Sequence, residues 1–140
     1  MKQFLKTSFC VFIFINALIL PVAGAPGGEP VPEIPNELRA IAAQELLVQN
    51  PQYKSIFVKG LICSSCGIGL RIHLNRVDGI DRKQLNRGVD MNIDTQLVTI
   101  AIEEGKSIDM SKVNEAIYKA GYDPVYYYEM SSVGMQRIDF

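Results

Sequence analysis

From residue 53 onward the spacing of apolar positions switches between a period of two and a period near 3.6. Residues 53–60, YKSIFVKG, place Ile56 and Val58 on one side and Phe57 on the other, as a short strand does. Residues 66–77 change to helical spacing, with Leu70, Leu74 and Val77 on one stripe. Residues 89–94, VDMNID, alternate strictly: Val89, Met91 and Ile93 inward, Asp90, Asn92 and Asp94 outward. Residues 96–102, QLVTIAI, carry Val98, Ile100 and Ile102 on one face, and the short gap around Thr95 predicts a hairpin. Residues 109–121 return to a helix, with Asp109 as N-cap, Val113, Ala116 and Ile117 as inner stripe and Gly121 as stop. DPVYYYEM, residues 123–130, predicts a last strand, and residues 131–140 read as a loose tail. The order β-α-β-β-α-β predicts an α+β, ferredoxin-like sandwich: a four-stranded antiparallel sheet with two helices on one face.

Upstream, residues 37–49 predict an amphipathic helix with Asn36 as N-cap and Leu38, Ile41, Ala42 and Leu46 as its apolar stripe. Asn50 and Pro51 end it. A helix this short is marginal alone, so it needs a dock. The expected dock is the open face of the sheet, which the outward Phe57 supplies. Ile68 and Ile72 also point away from their helix's inner stripe and are candidates for a partner surface. Residues 25–35, APGGEPVPEIP, read as a linker that completes a 25–52 connecting segment.

Residues 1–24 have the layout of a secretory signal peptide. Lys2 and Lys6 precede an apolar run that exits through small residues, with cleavage expected after Gly24. The run is shorter than the roughly 20 residues of a spanning helix, so contact with a membrane is expected only through this leader. Its removal takes the basic residues from 14 to 12 against 15 acidic ones, a net charge of −3. That charge gives no basic footprint for nucleic acid. Removal also takes Cys10, so Cys63 and Cys66 remain as the mature chain's cysteines. The leader implies an exported chain.

Cys63 and Cys66 are separated by Ser64 and Ser65 and flanked by Gly60 and Gly67. A Cys-x-x-Cys pair serves disulfides, redox couples, half of a zinc site or a two-thiolate clamp. Structural zinc needs four ligands. Haem attachment needs His where Gly67 stands. Thiolates are soft and select ions such as Cu(I), and two of them satisfy an ion that accepts linear coordination. Gly60 lets the loop turn. His73 lies seven residues beyond Cys66, about 10.5 Å along a helix, too far for the same ion. An exported thiol–disulfide protein and a pure interaction module stay open as alternatives.

The motif and its setting resemble the heavy-metal-associated domain family, which includes copper chaperones, modules of metal-transporting ATPases and a periplasmic mercury-binding protein. The family pattern Gly-Met-x-Cys-x-x-Cys reads here as Gly60, Leu61, Ile62, Cys63, Ser64, Ser65 and Cys66. The apolar stripe and then Gly79 and Ile80 follow, and residues 116–124, AIYKAGYDP, resemble the family's Ala-Ile-x-x-Ala-Gly-Tyr. The resemblance covers residues 53–130. It implies a non-catalytic protein that holds one soft metal ion, Cu(I) or Hg(II), through Cys63 and Cys66. It implies a metal donor or acceptor as partner, such as a metal-transporting ATPase or membrane transporter. It also brings Tyr122 beside the metal loop, with Gly60, Leu61, Ser64 and Ser65 around the cysteines. Three departures stand out: Leu61 for methionine, the extra residues 81–88, and His73 at an apolar position.

Overall fold

The computed structural model describes residues 34–63, 65 and 67–140. The expected signal peptide, most of the linker, Ser64 and Cys66 lie outside the described residues. Among the described residues the elements run α1 (Asn36–Gln49), β1 (Lys54–Lys59), α2 (Gly67–Leu74), β2 (Val89–Asn92), β3 (Leu97–Ile100), α3 (Met110–Lys119), β4 (Asp123–Ser131) and β5 (Gly134–Asp139). The sheet order is β2-β3-β1-β4-β5, and every neighbouring pair is antiparallel. The βαββαβ unit is therefore present, as an α+β ferredoxin-like fold. No helix among the described residues is long and apolar enough to cross a membrane.

The alternation of the strands divides the apolar side chains between two layers. Ile56, Val58, Val98 and Ile100 face α2 and α3, where they meet Leu70, Leu74, Val113 and Ile117 in the main core. Phe57, Leu97, Tyr126 and Tyr128 face the other way and meet Ala43 and Leu47 of α1. The open face of the sheet is thus the dock of α1, as its marginal length requires. Burial, and then the neighbouring Tyr126 hydroxyl, raise the Tyr128 phenol above its ordinary pKa.

α1 differs from expectation in two respects. Its cap is Pro35, whose carbonyl accepts from the Leu38 and Arg39 backbone N–H groups. Asn36 is inside the helix, and its Oδ1 accepts from Arg39 Nη1 at 3.0 Å and from the Tyr126 hydroxyl at 3.2 Å. The buried stripe is Arg39, Ala43 and Leu47, with Ala42 and Leu46 partly buried beside it. Leu38 and Ile41 are exposed. The stripe is rotated by one residue, about 100°, because Arg39 is fully buried. Its guanidinium lies 3.7 Å from the Phe57 ring centre. It also donates to the Thr95 carbonyl at 3.2 Å and to Gln96 Oε1 at 3.0 Å.

The end of the chain is also corrected. Residues 131–140 are not a loose tail, because β5 pairs with β4 from Ser131 opposite Gly134 to Tyr126 opposite Asp139. The expected four-stranded sheet has a fifth strand. Arg137 stacks over Tyr126 at 3.8 Å, and the Phe140 ring lies 5.3 Å from that of Tyr127. Side-chain packing on both faces therefore holds this edge strand.

Asp109 caps α3 as expected, accepting from the Ser111 N–H at 3.0 Å. The extra residues 81–88 form successive turns, and β2 still begins at Val89. Leu85, Arg87 and Gly88 have φ of 49°, 58° and 84°. At Gly88 an added Cβ would stand 2.4 Å from Ile80 Cγ2 and 3.0 Å from the Asp81 carbonyl oxygen. Overpacking costs about 1–3 kcal/mol and the left-handed backbone about 1–2 kcal/mol, so Gly88→Ala is expected to destabilise by about 3 kcal/mol. Urea denaturation measures this, and a loss under about 1 kcal/mol would show that the loop shifts freely.

Candidate metal-binding loop

β1 delivers the loop. Its ladder ends at Lys59, and Gly60 turns the chain at φ +83°, a region that favours glycine. Leu61 then plunges into the main core and is fully buried. Anchoring Leu61 leaves Ile62 exposed and Cys63 half-buried. The Ser65 carbonyl accepts from the Ile68 N–H at 3.3 Å and starts the turn that becomes α2.

Cys63 is disulfide-bonded. The chain's other cysteines, Cys10 and Cys66, lie outside the described residues, as does Ser64. Cys63 Sγ is 3.4 Å from the Ser65 hydroxyl oxygen. A sulfur in a disulfide carries no proton, so the hydroxyl is the donor there. Gly60 and Tyr122 are neighbours: a Cβ added to Gly60 would lie 3.9 Å from Tyr122 Cδ1. Gly121, at φ +87°, reverses the chain after α3 and brings Tyr122 to this position, half-buried against the main core. Gly60, Leu61, Cys63, Ser65 and Tyr122 therefore belong to one end of the sandwich.

His73 is half-buried on α2 and lines a surface groove with Lys112, Glu115 and Lys119. Among the described residues no three His, Cys, Asp or Glu side chains gather as a metal cluster. Tyr126, Tyr127 and Tyr128 are strand residues of β4, split between the two layers.

Two features of this end escaped the pattern. Gly67, the first residue of α2, is buried, and a Cβ there would fall 2.3 Å from Met91 Sδ. The first turn of α2 thus rests on a flexible thioether of β2, a contact that a glycine facing an alternating strand only hints at. Arg39 is the second. It grips Thr95 and Gln96, and the Gln96 carbonyl accepts from Val58 N–H at 3.0 Å, just before the loop. The N-terminal half of α1 therefore braces the end of the sheet that carries Cys63.

No family model and no curated protein matches the chain. Two solved structures are similar to it over 52% of its length. One is the CopZ metallochaperone, with 26% identity, 98% of that chain covered and a TM-score of 0.43. The other is the oxidised MerP of Ralstonia metallidurans CH34, with 25% identity, 92% of that chain covered and a TM-score of 0.41.

Proposed function

We propose that the chain is an exported carrier that holds one Cu(I) or Hg(II) ion through Cys63 and Cys66 and passes it to a partner by ligand exchange. The observation that carries this reading is the setting of Cys63. It is half-buried in the loop between β1 and α2, between fully buried Leu61 and the first turn of the helix that follows Cys66. The partial positive charge of a helix N-terminus favours thiolate over thiol. Two thiolates suit an ion that accepts linear coordination.

Such a clamp also explains release. A partner cysteine adds its thiolate to the two-coordinate ion and makes a three-coordinate intermediate. One of the carrier's sulfurs then leaves, and the second follows as the partner's second ligand binds. No closed shell has to break first, so the barrier stays low. Gly60 allows the turn, Leu61 anchors the loop, and Ser64 and Ser65 are small neutral neighbours. Tyr122 screens one side through its ring beside Gly60. The partner is a metal donor or acceptor such as a metal-transporting ATPase or membrane transporter. The compartment proposed, periplasmic or secreted, rests on the leader read at residues 1–24 together with the resemblance to a periplasmic mercury-binding protein.

One observation favours a second reading, a thiol–disulfide protein: Cys63 is in a disulfide. In that role a dithiol substrate gives two electrons and two protons to the disulfide, which becomes two thiols while the substrate is oxidised. In the carrier role the same reduction, by a cellular dithiol, precedes loading, and the thiols lose protons as the ion binds. Anaerobic titration of the dithiothreitol-reduced chain separates the two. The carrier binds one Cu(I) or Hg(II) per chain, and Zn(II) does not displace it. A chain that retains neither ion, and whose disulfide is more oxidising than about −180 mV, belongs to the second reading.

A further inference from the structure

Three isoleucines near the cysteine loop are exposed: Ile62 by 54%, Ile68 by 57% and Ile72 by 51%. Ile68 and Ile72 line a groove of about 490 Å³ between α2 and the turns of residues 81–88. Arg71, Arg82 and Arg87 line it too, and no carboxylate does. This local charge is opposite to that of the whole chain, which is −1.

The groove is built in advance. Arg82 donates from Nε and Nη2 to the Asn75 carbonyl, which ties the extra loop to the end of α2. The Gly88 N–H donates to the Gln84 carbonyl at 2.7 Å and closes the turn. Arg71 is half-buried in the wall of the groove. Arginine and exposed aliphatic side chains together match the interior of protein interfaces better than a solvated face. The groove starts in the first turn of α2, and Ile72 lies only about 7.5 Å further along the axis than Gly67. A protein seated here reaches the cysteine loop without moving.

We propose that this groove docks the metal-exchange partner, through a surface on which carboxylates surround an aliphatic side chain. This rests on the carrier reading. Residues 81–88 supply the far wall, so the extra loop selects which partner is admitted. Opposite charge accelerates encounter and orients the two metal loops, while the isoleucines give the docked pair an apolar centre.

The test uses the full chain and two synthetic peptides. Each carries one Cys-x-x-Cys pair and leucines, flanked by glutamates in one and lysines in the other. The Cu(I)-loaded chain is expected to deliver its ion to the acidic peptide about tenfold faster than to the basic one at low salt. The difference is expected to fade above about 0.1 M salt, where screening acts within about 10 Å. Arg87→Glu and Ile72→Ser, both at exposed side chains, each remove most of the preference. Arg82 is left intact because it holds Asn75. Equal rates for the two peptides, or an unchanged preference in both variants, would overturn the proposal.

A metal-independent arm uses the acidic peptide with serines in place of its cysteines. It is expected to shift the amide resonances of Ile68, Ile72 and residues 81–88. If those shifts occur and no Cu(I) binds, the groove stands and the carrier reading fails. If Cu(I) binds one to one and the amides stay still, the carrier stands and the groove fails. Vesicles of phosphatidylglycerol that shift the same amides when the peptide does not would overturn the proposal in favour of a membrane surface.

Discussion

Cys63→Ser is expected to weaken Cu(I) binding by the reduced chain by about a few hundredfold. The size follows from the ligand count. Four-ligand structural zinc sites gain about 10–16 kcal/mol, which sets the scale of one thiolate at about 2.5–4 kcal/mol. Each 1.4 kcal/mol is a factor of ten. A serine hydroxyl is a hard, protonated oxygen and does not replace a thiolate for a soft ion. Cys66→Ser is expected to cost a similar amount. The double variant loses less than the sum, because ligands of one ion act together. Competition against a Cu(I) chelator of known affinity measures all three. The fold is expected to persist in each variant, since the main core lies beneath the loop and does not depend on the sulfurs. A Cys63→Ser chain that still binds within tenfold of the parent would remove the two-sulfur clamp from the account.

Arg39→Ala is expected to destabilise the fold by about 3 kcal/mol. The side chain is fully buried and leaves a cavity under α1. It also leaves Gln96 Oε1 and the Thr95 carbonyl without the donors they now have. Cavities of this size cost about 2–5 kcal/mol and each orphaned buried acceptor about 1–3 kcal/mol, and relief from burying a cation among neutral partners offsets several kcal/mol of that. Arg39→Met refills the space over Phe57 and avoids burying a cation whose partners here are neutral acceptors and a ring. It is expected to recover about half of the loss. Urea unfolding of both variants checks the pair. Equal loss in both would show that the hydrogen bonds to Thr95 and Gln96, not the filled volume, hold α1 in place. A loss near zero in Arg39→Ala would mean that α1 is not part of the cooperative unit.

Arg39 also marks the limit of reading this chain from its pattern. The strands and helices of residues 53–130 were legible because each buries one face, and a buried face writes its period into the sequence. Ile56 and Val58, Val98 and Ile100, Leu70 and Leu74 all obey it. α1 does not. Its innermost residue is an arginine, which hydropathy assigns to solvent, so Leu38 and Ile41 were placed inside and are exposed. The arginine's acceptors, Thr95 and Gln96, are 56 and 57 residues away, and no local window contains them.

β5 was missed for a related reason. GMQRID has no apolar alternation, and its strand state depends on pairing with β4 and on Arg137 over Tyr126. The outline of the site was easier to read. Gly60 and Gly121 signal the turns that carry Leu61 and Tyr122, and the fold brings Gly60 and Tyr122 together. The contact of Gly67 with Met91 depends on how α2 lies across β2, which neither segment encodes alone.

The central claim is that two sulfurs of one loop hold the ion. Copper K-edge absorption of the reduced, Cu(I)-loaded full chain tests it most directly. The account predicts a shell of two sulfurs that becomes one sulfur and lighter atoms in Cys63→Ser. A shell of nitrogen and oxygen, or a sulfur shell that Cys63→Ser leaves unchanged, would contradict it.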